Sequence, residues 1–217
     1  MNYTDREDFK KQMLEYIKNE NKEWLYFIIP EDYTLKLTSY ASMKNDLYFL
    51  KEATKKLIEI HKKYPRPEDN FDLIVEPALW YSVIVLYARL FTEAFDKRSK
   101  LEVRDVFEIP DEEKDPLYWI HKELMEDRNN FVAHRGDSEL DNFMVLFKLP
   151  KSGDLSKAQF DINTVRAYAK GTSFFVEYLK LFEKISGIVD LKMQIQSDKL
   201  SKMISRRPLD FLKPHQV

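Results

Sequence analysis

Cysteine is absent from the 217 residues. Disulfides and thiolate metal sites are thereby excluded, and the composition fits a reducing, cytoplasmic setting. Glycine is scarce: four residues leave little material for barrels, propellers or glycine-rich phosphate loops. Charge of one sign does not dominate either. A net charge of −2 gives no overall basic field and implies no bulk attraction to nucleic acid, although a local basic patch remains allowed. The apolar run WLYFIIP at 24–30 is too brief for a membrane span, and no membrane partner is expected. No leader peptide is expected, because Asp5, Arg6, Glu7 and Asp8 precede any apolar run. Internal repeats and low-complexity tracts are missing. With four His and no Cys, no HxxxH or carboxylate–histidine spacing closes a metal site. GxSxG, Walker and dinucleotide fingerprints are missing as well, so neither metal nor cofactor is expected.

What is present is helical periodicity. Hydrophobic residues at 44% and charged residues at 33% describe one globular domain over 1–217, with its core at about 42–187. Thr4 or Asp5 caps a first helix to about Asn19, with Phe9, Met13, Leu14, Tyr16 and Ile17 on its apolar side. Residues 31–42 read as a loop. A helix follows over about 42–64, until Pro65 and Pro67 stop it, with His61 at the edge of its face. Residues 71–98 form a helix that is apolar nearly all round from 78 to 95, as a central, buried helix would be. Its one polar stripe holds Ser82, Arg89, Glu93 and Asp96, with Arg89 and Glu93 spaced to pair. A charged connector covers 99–114. FMVLFKLP, a KSGD turn and KAQFDI predict a β-hairpin over about 143–162. Asn163 or Thr164 then caps a long helix to about Ile185, which Gly187 ends, and a last helix and Pro-containing tail occupy 190–217. The expected fold is all-α: an up-and-down bundle of five to six helices with a small β-hairpin appendage.

The most informative stretch is DPLYWIHKELMEDRNNFVAHRG, residues 115–136. Asp115 suits an N-cap, Pro116 the first helical position and Gly136 a left-handed C-terminal turn. Leu117, Ile120, Leu124, Met125, Phe131 and Val132 fall on one broad face. Arg128 lies near the centre of that face, and His121 lies one heptad earlier on the same side. A guanidinium there keeps its charge, so it requires a carboxylate, an anion or a partner subunit. Glu93 and Asp96 are the carboxylates best spaced to orient it.

Arg128-Asn129-Asn130-Phe131-Val132-Ala133-His134 resembles the signature of the HEPN family of small helical domains. Ribonuclease members carry an arginine, a polar residue and, after four to six intervening residues, a histidine. Five residues separate Arg128 from His134 here, and Asn129 fills the polar slot. The preceding helix, ending YARLFTEAFDK, is similar in a looser way. The resemblance implies a four- or five-helix bundle, a homodimer with the two motif helices facing each other, and metal-independent RNA cleavage of the toxin or phage-defence kind, with an antitoxin or other protein as partner. Chemically, His134 has the pKa range for proton transfer and Arg128 the fork geometry for a phosphate. Asn129 would hydrogen-bond the phosphate or hold the imidazole, while Arg135 and Lys122 would add positive charge. Positions six apart on a straight helix diverge by about 120°, so the pair requires either unwinding before Gly136 or residues from two chains. The alternative is a non-enzymatic HEPN-like module that binds a partner protein or a nucleotide.

Overall fold

A computed structural model of the chain describes residues 31–63, 70–93, 98–109, 112–129, 141–148, 150–151, 159–166 and 171–206, together with residues 8, 11–13, 15–17, 19 and 29. The described chain is mostly helical. In order it contains α1 (Glu31–Lys63), α2 (Asn70–Phe91), the short α3 (Val103–Val106), a 3-10 turn (Glu112–Lys114), α4 (Pro116–Asp127), β1 (Asp141–Lys148), β2 (Gln159–Arg166) and α5 (Thr172–Ile204). The 24–30 run, apart from Ile29, and the tail beyond 206 lie outside the described residues.

Helix α1 starts eleven residues before the expected position, so 31–42 is helix and not loop. Glu31 and Asp32 place negative charge at its positive end. Its buried positions Tyr40, Met43, Leu47, Leu50, Thr54 and Leu57 alternate three and four apart, which makes one continuous apolar seam. Along that seam α1 packs on α5. The bridges Lys44–Asp190 and Lys51–Glu183 fix the two helices as antiparallel, since one number rises as the other falls.

Helix α2 lies antiparallel to α1, its Trp80 and Tyr87 rings also packing on α5, and it stops at Phe91, short of the expected 98. Arg89 does not pair with Glu93. It forks onto Asp46 of α1, with Nε and Nη2 each donating at 2.9 Å to a separate carboxylate oxygen. Glu93 lies beyond the helix end and is exposed. Two-pronged contact with a buried carboxylate fixes register between helices in a way that an exposed intrahelical pair cannot. Burial raises the Asp46 carboxyl above its ordinary range, with Arg89 opposing that rise. By length and composition, 74–91 of α2 would cross a membrane. Trp80, Val83, Ile84, Tyr87 and Leu90 of that stretch are buried in the bundle, whereas Ile74 and Val85 are exposed, so α2 is not buried all round.

The remaining helices close the core. Lys184 of α5 donates to Asp115 at the start of α4, and Lys192 donates to Asp105 of α3 at 2.8 Å. Strands β1 and β2 pair antiparallel, with Asp141 opposite Arg166 and Lys148 opposite Gln159. Of the connection between them, only Pro150 and Lys151 are described. Because β2 runs to Arg166, Asn163 and Thr164 face Met144 and Phe143 in the ladder and do not cap a helix. Helix α5 begins at Thr172 and runs through Gly187 to Ile204, so one helix replaces the two expected.

Gly187 is exposed, and a Cβ built there meets no atom within 4 Å. Glycine inside a helix costs about 1 kcal/mol relative to alanine. Gly187→Ala is therefore expected to stabilise the protein by about 0.5–1 kcal/mol. Urea denaturation checks this, and a destabilised variant would mean that α5 does not continue through 187.

Candidate functional site

The candidate site sits at the end of α4. Asp115 caps the start of that helix, its side chain accepting from the Leu117 amide at 2.9 Å, with Pro116 in the first turn. Burial would raise the Asp115 carboxyl, but Lys184 and the Leu117 N–H hold it below its usual range. From this fixed start, Leu124 and His121 point into the core. The α-helix ends at Asp127, Arg128 and Asn129 lie in a π-helical turn, and the rest of the expected helix, 130–135, lies outside the described residues. Such turns reset the helical phase and often occur at functional sites.

Among the described residues, Arg128 is partly buried and its Nη1 donates to Asn129 Oδ1 at 3.0 Å. It makes no ion pair with Glu93, because α2 ends before Glu93 comes within reach. Asp96, His134 and Arg135 lie outside the described residues. The structure thus brings Arg128 and Asn129 together and leaves Glu93 apart.

His121 is not a surface partner of Arg128. It is 5% exposed, and its Nδ1 shares a 2.7 Å hydrogen bond with the Tyr87 hydroxyl of α2. Phe91, Phe107, Tyr118 and Tyr87 surround the ring, with Phe91 closest at 4.6 Å between centroids. Burial lowers the His121 pKa to about 4 and pushes the Tyr87 hydroxyl well above its ordinary range. The pair is neutral at physiological pH and belongs to the core.

Asp127 was not expected in the site. Burial, with the Glu126 charge adding to it, raises its carboxyl to about 6. Near neutrality such a group can take up or release a proton. The signal was in the sequence: Ile120, Leu124 and Asp127 share one helical side by the same spacing that placed the apolar face. On the outer side Trp119 is half-exposed, with the Lys122 ammonium 4.9 Å from its ring centre. His61, at the edge of α1, meets Glu76 of α2 at 2.8 Å, which ties two helix ends together. Among the described residues, no group of three or more His, Cys, Asp or Glu side chains is arranged to hold a metal ion.

No known protein family, curated protein or solved structure matches this chain. The HEPN likeness therefore rests on the residues quoted for it.

The buried imidazole sets a pH dependence. Its folded pKa, about 4, lies below the unfolded value, so the unfolded chain binds more protons between about pH 6.5 and 4. Stability from His121 is complete above that window and is lost as pH falls through it, by about 3 kcal/mol at most. Asp127 acts oppositely: its raised pKa adds stability as pH falls below about 6. The difference in unfolding free energy between wild type and His121→Gln isolates the first effect. That difference is expected to shrink steadily from pH 7 to pH 4; a constant difference would mean that His121 titrates normally.

Proposed function

We propose that the chain is a HEPN-like bundle of five to six helices with a β-hairpin appendage, and that it acts as a metal-independent endoribonuclease of the toxin or phage-defence kind. The observation that carries this reading is the turn at Arg128 and Asn129. A straight helix would part Arg128 from His134 by about 120°. The hydrogen-bond pattern turns π-helical at Arg128 and Asn129, while Arg128 itself keeps helical dihedrals, and a change of helical phase at this point is what the motif would use. Among the described residues, the Arg128 guanidinium donates to a neutral amide oxygen, which would leave its charge for a phosphate.

In this reading His134 takes the proton of a ribose 2′-hydroxyl. The 2′-oxygen attacks phosphorus, the 5′-oxygen leaves with a proton from an acid, and a 2′,3′-cyclic phosphate remains. Arg128 offsets charge on the phosphate oxygens, Asn129 positions them, and Arg135 adds positive charge. A homodimer that joins two such turns would complete the cleft, and an antitoxin or other protein would be the partner that restrains it. The second reading, a non-enzymatic module for a nucleotide or a protein, draws on the half-exposed Trp119 beside Lys122, a face suited to stacking.

Incubation of purified protein with RNA in EDTA separates the two. Cleavage is expected to survive the chelator and to leave the cyclic phosphate or its opened product. His134→Ala should reduce the rate by about 10²–10⁴-fold. Unchanged cleavage by a folded His134→Ala protein would remove His134 from the chemistry. A folded wild type that binds nucleotide or RNA without cutting it would establish the second reading.

A further inference from the structure

Helices α1 and α5 run on past the end of α2. Arg89, near that end, reaches Asp46 and Ser42 of α1. The connector after α2 adds Ser99 against Ser39 and Asp105 against Lys192. Beyond these levels α1 and α5 form a two-helix arm, 31–38 beside 193–204, in which no residue is buried. Leu35, Ile204 and their neighbours are only half covered there, whereas helices of a bundle ordinarily bury an apolar stripe. Between the two helices lies an open cleft of about 120 Å³, lined by Tyr33, Leu37, Gln196, Lys199, Leu200 and Met203. A closed apolar cavity of about 150 Å³ takes a benzene ring, so this open cleft suits one aromatic side chain.

We propose that the cleft is the seat of the chain's own C-terminal segment, with the Phe211 ring between α1 and α5 and Leu209 beside it. Residues 207–217 lie outside the described residues, and the described chain leaves off at the mouth of the cleft. Helix α5 ends at Ile204, and the Arg206 amide donates to the Met203 carbonyl at 3.3 Å, a turn that takes the chain off the helix axis beside a residue lining the cleft. Pro208 lacks an amide hydrogen and disfavours helix at the residue before it, so the sequence calls for extended chain there. Two positions apart, Leu209 and Phe211 share one side of an extended segment. Five extended residues from Arg206 to Phe211 span at most about 17 Å, and Met203 to Gln196 covers about 10 Å of α5, so the ring has the reach. Charge agrees with this seat. Glu31 stands thirteen residues before Lys44 and Met203 thirteen after Asp190, so the Lys44–Asp190 bridge sets Glu31 level with the mouth. Arg207 and Lys213 thereby meet the exposed Glu31 and Asp32, and Asp210 meets Lys199 on the rim.

The chain has no cysteine, so an introduced pair reports alone. The test oxidises dilute full-length protein carrying Gln196→Cys and Leu212→Cys. Glu59→Cys, exposed and far from the arm on α1, is paired with Leu212→Cys as the control for random encounter. A disulfide forms only where the two Cβ atoms approach to about 4 Å. The disulfide within one chain is expected to be about tenfold more abundant in the first pair than in the control. Adding Phe211→Ala should lower that yield roughly tenfold, because the ring supplies the apolar contact that holds the segment. A yield no higher than the control overturns the proposal and leaves the cleft to another part of the chain. A yield indifferent to Phe211→Ala overturns it by removing the ring from the cleft. A disulfide-linked dimer in place of the intrachain bond overturns it in favour of a second copy.

Discussion

The hydrogen bond between Tyr87 and His121 is a fully buried polar contact between side chains, and it joins α2 to α4. Both groups must stay neutral for the contact to be tolerated. A charged imidazole inside a shell of Phe91, Phe107 and Tyr118 would lack the solvation that water supplies. The contact specifies register: any rotation of α4 that exposed His121 would leave the Tyr87 hydroxyl buried and unsatisfied. The orientation of α4, and hence the direction in which its last turn points, follows from this pair.

Around that centre the charged contacts differ in weight. Lys44–Asp190, Lys51–Glu183 and the intrahelical lysine–glutamate pairs are largely exposed and contribute little individually. Three contacts matter by their place: the first engages a buried carboxylate, and the other two, partly exposed, act at helix starts. Arg89 holds Asp46, Lys184 holds the cap of α4, and Lys192 holds the cap of α3. The Lys184 contact is coupled to helix formation itself. Asp115 accepts both the lysine and the first free amide of α4, so loss of either weakens the start of the helix that carries the site.

What the sequence revealed follows from how local each signal is. The cap of α4 was legible because Asp115, Pro116 and Leu117 carry it within one turn. The first turns of α1 were not: Thr34 and Thr38 have modest helix propensity, and their hydroxyls bond carbonyls three residues back. Packing of the long seam against α5 outweighs that preference. Gly187 looked like a helix end because glycine usually is one; contacts of α5 on both sides of it override the local cost. Asn163 and Thr164 looked like caps because only the pairing with β1, distant in sequence, assigns them to a strand. For the site, the spacing put Arg128 on the apolar face beside a carboxylate, whereas its described partner is the Asn129 side chain.

Asp127 and Arg128 are neighbours in sequence, and they do not neutralise one another. A guanidinium on its carboxylate would hold Asp127 below the usual range. Burial and Glu126 raise it instead, with no offset from Arg128. Arg128 meets an amide oxygen in Asn129, which accepts its hydrogen bond without cancelling its charge. The carbonyls at the end of α4 add a modest favourable field for a cation, about 0.3–1 kcal/mol, too weak to compete with a phosphate for a two-pronged contact. Among the described residues, one turn thus holds a carboxyl raised by burial next to a guanidinium whose partner is an amide oxygen. That arrangement is what an anion-binding role for Arg128 needs, whichever reaction or partner the anion belongs to.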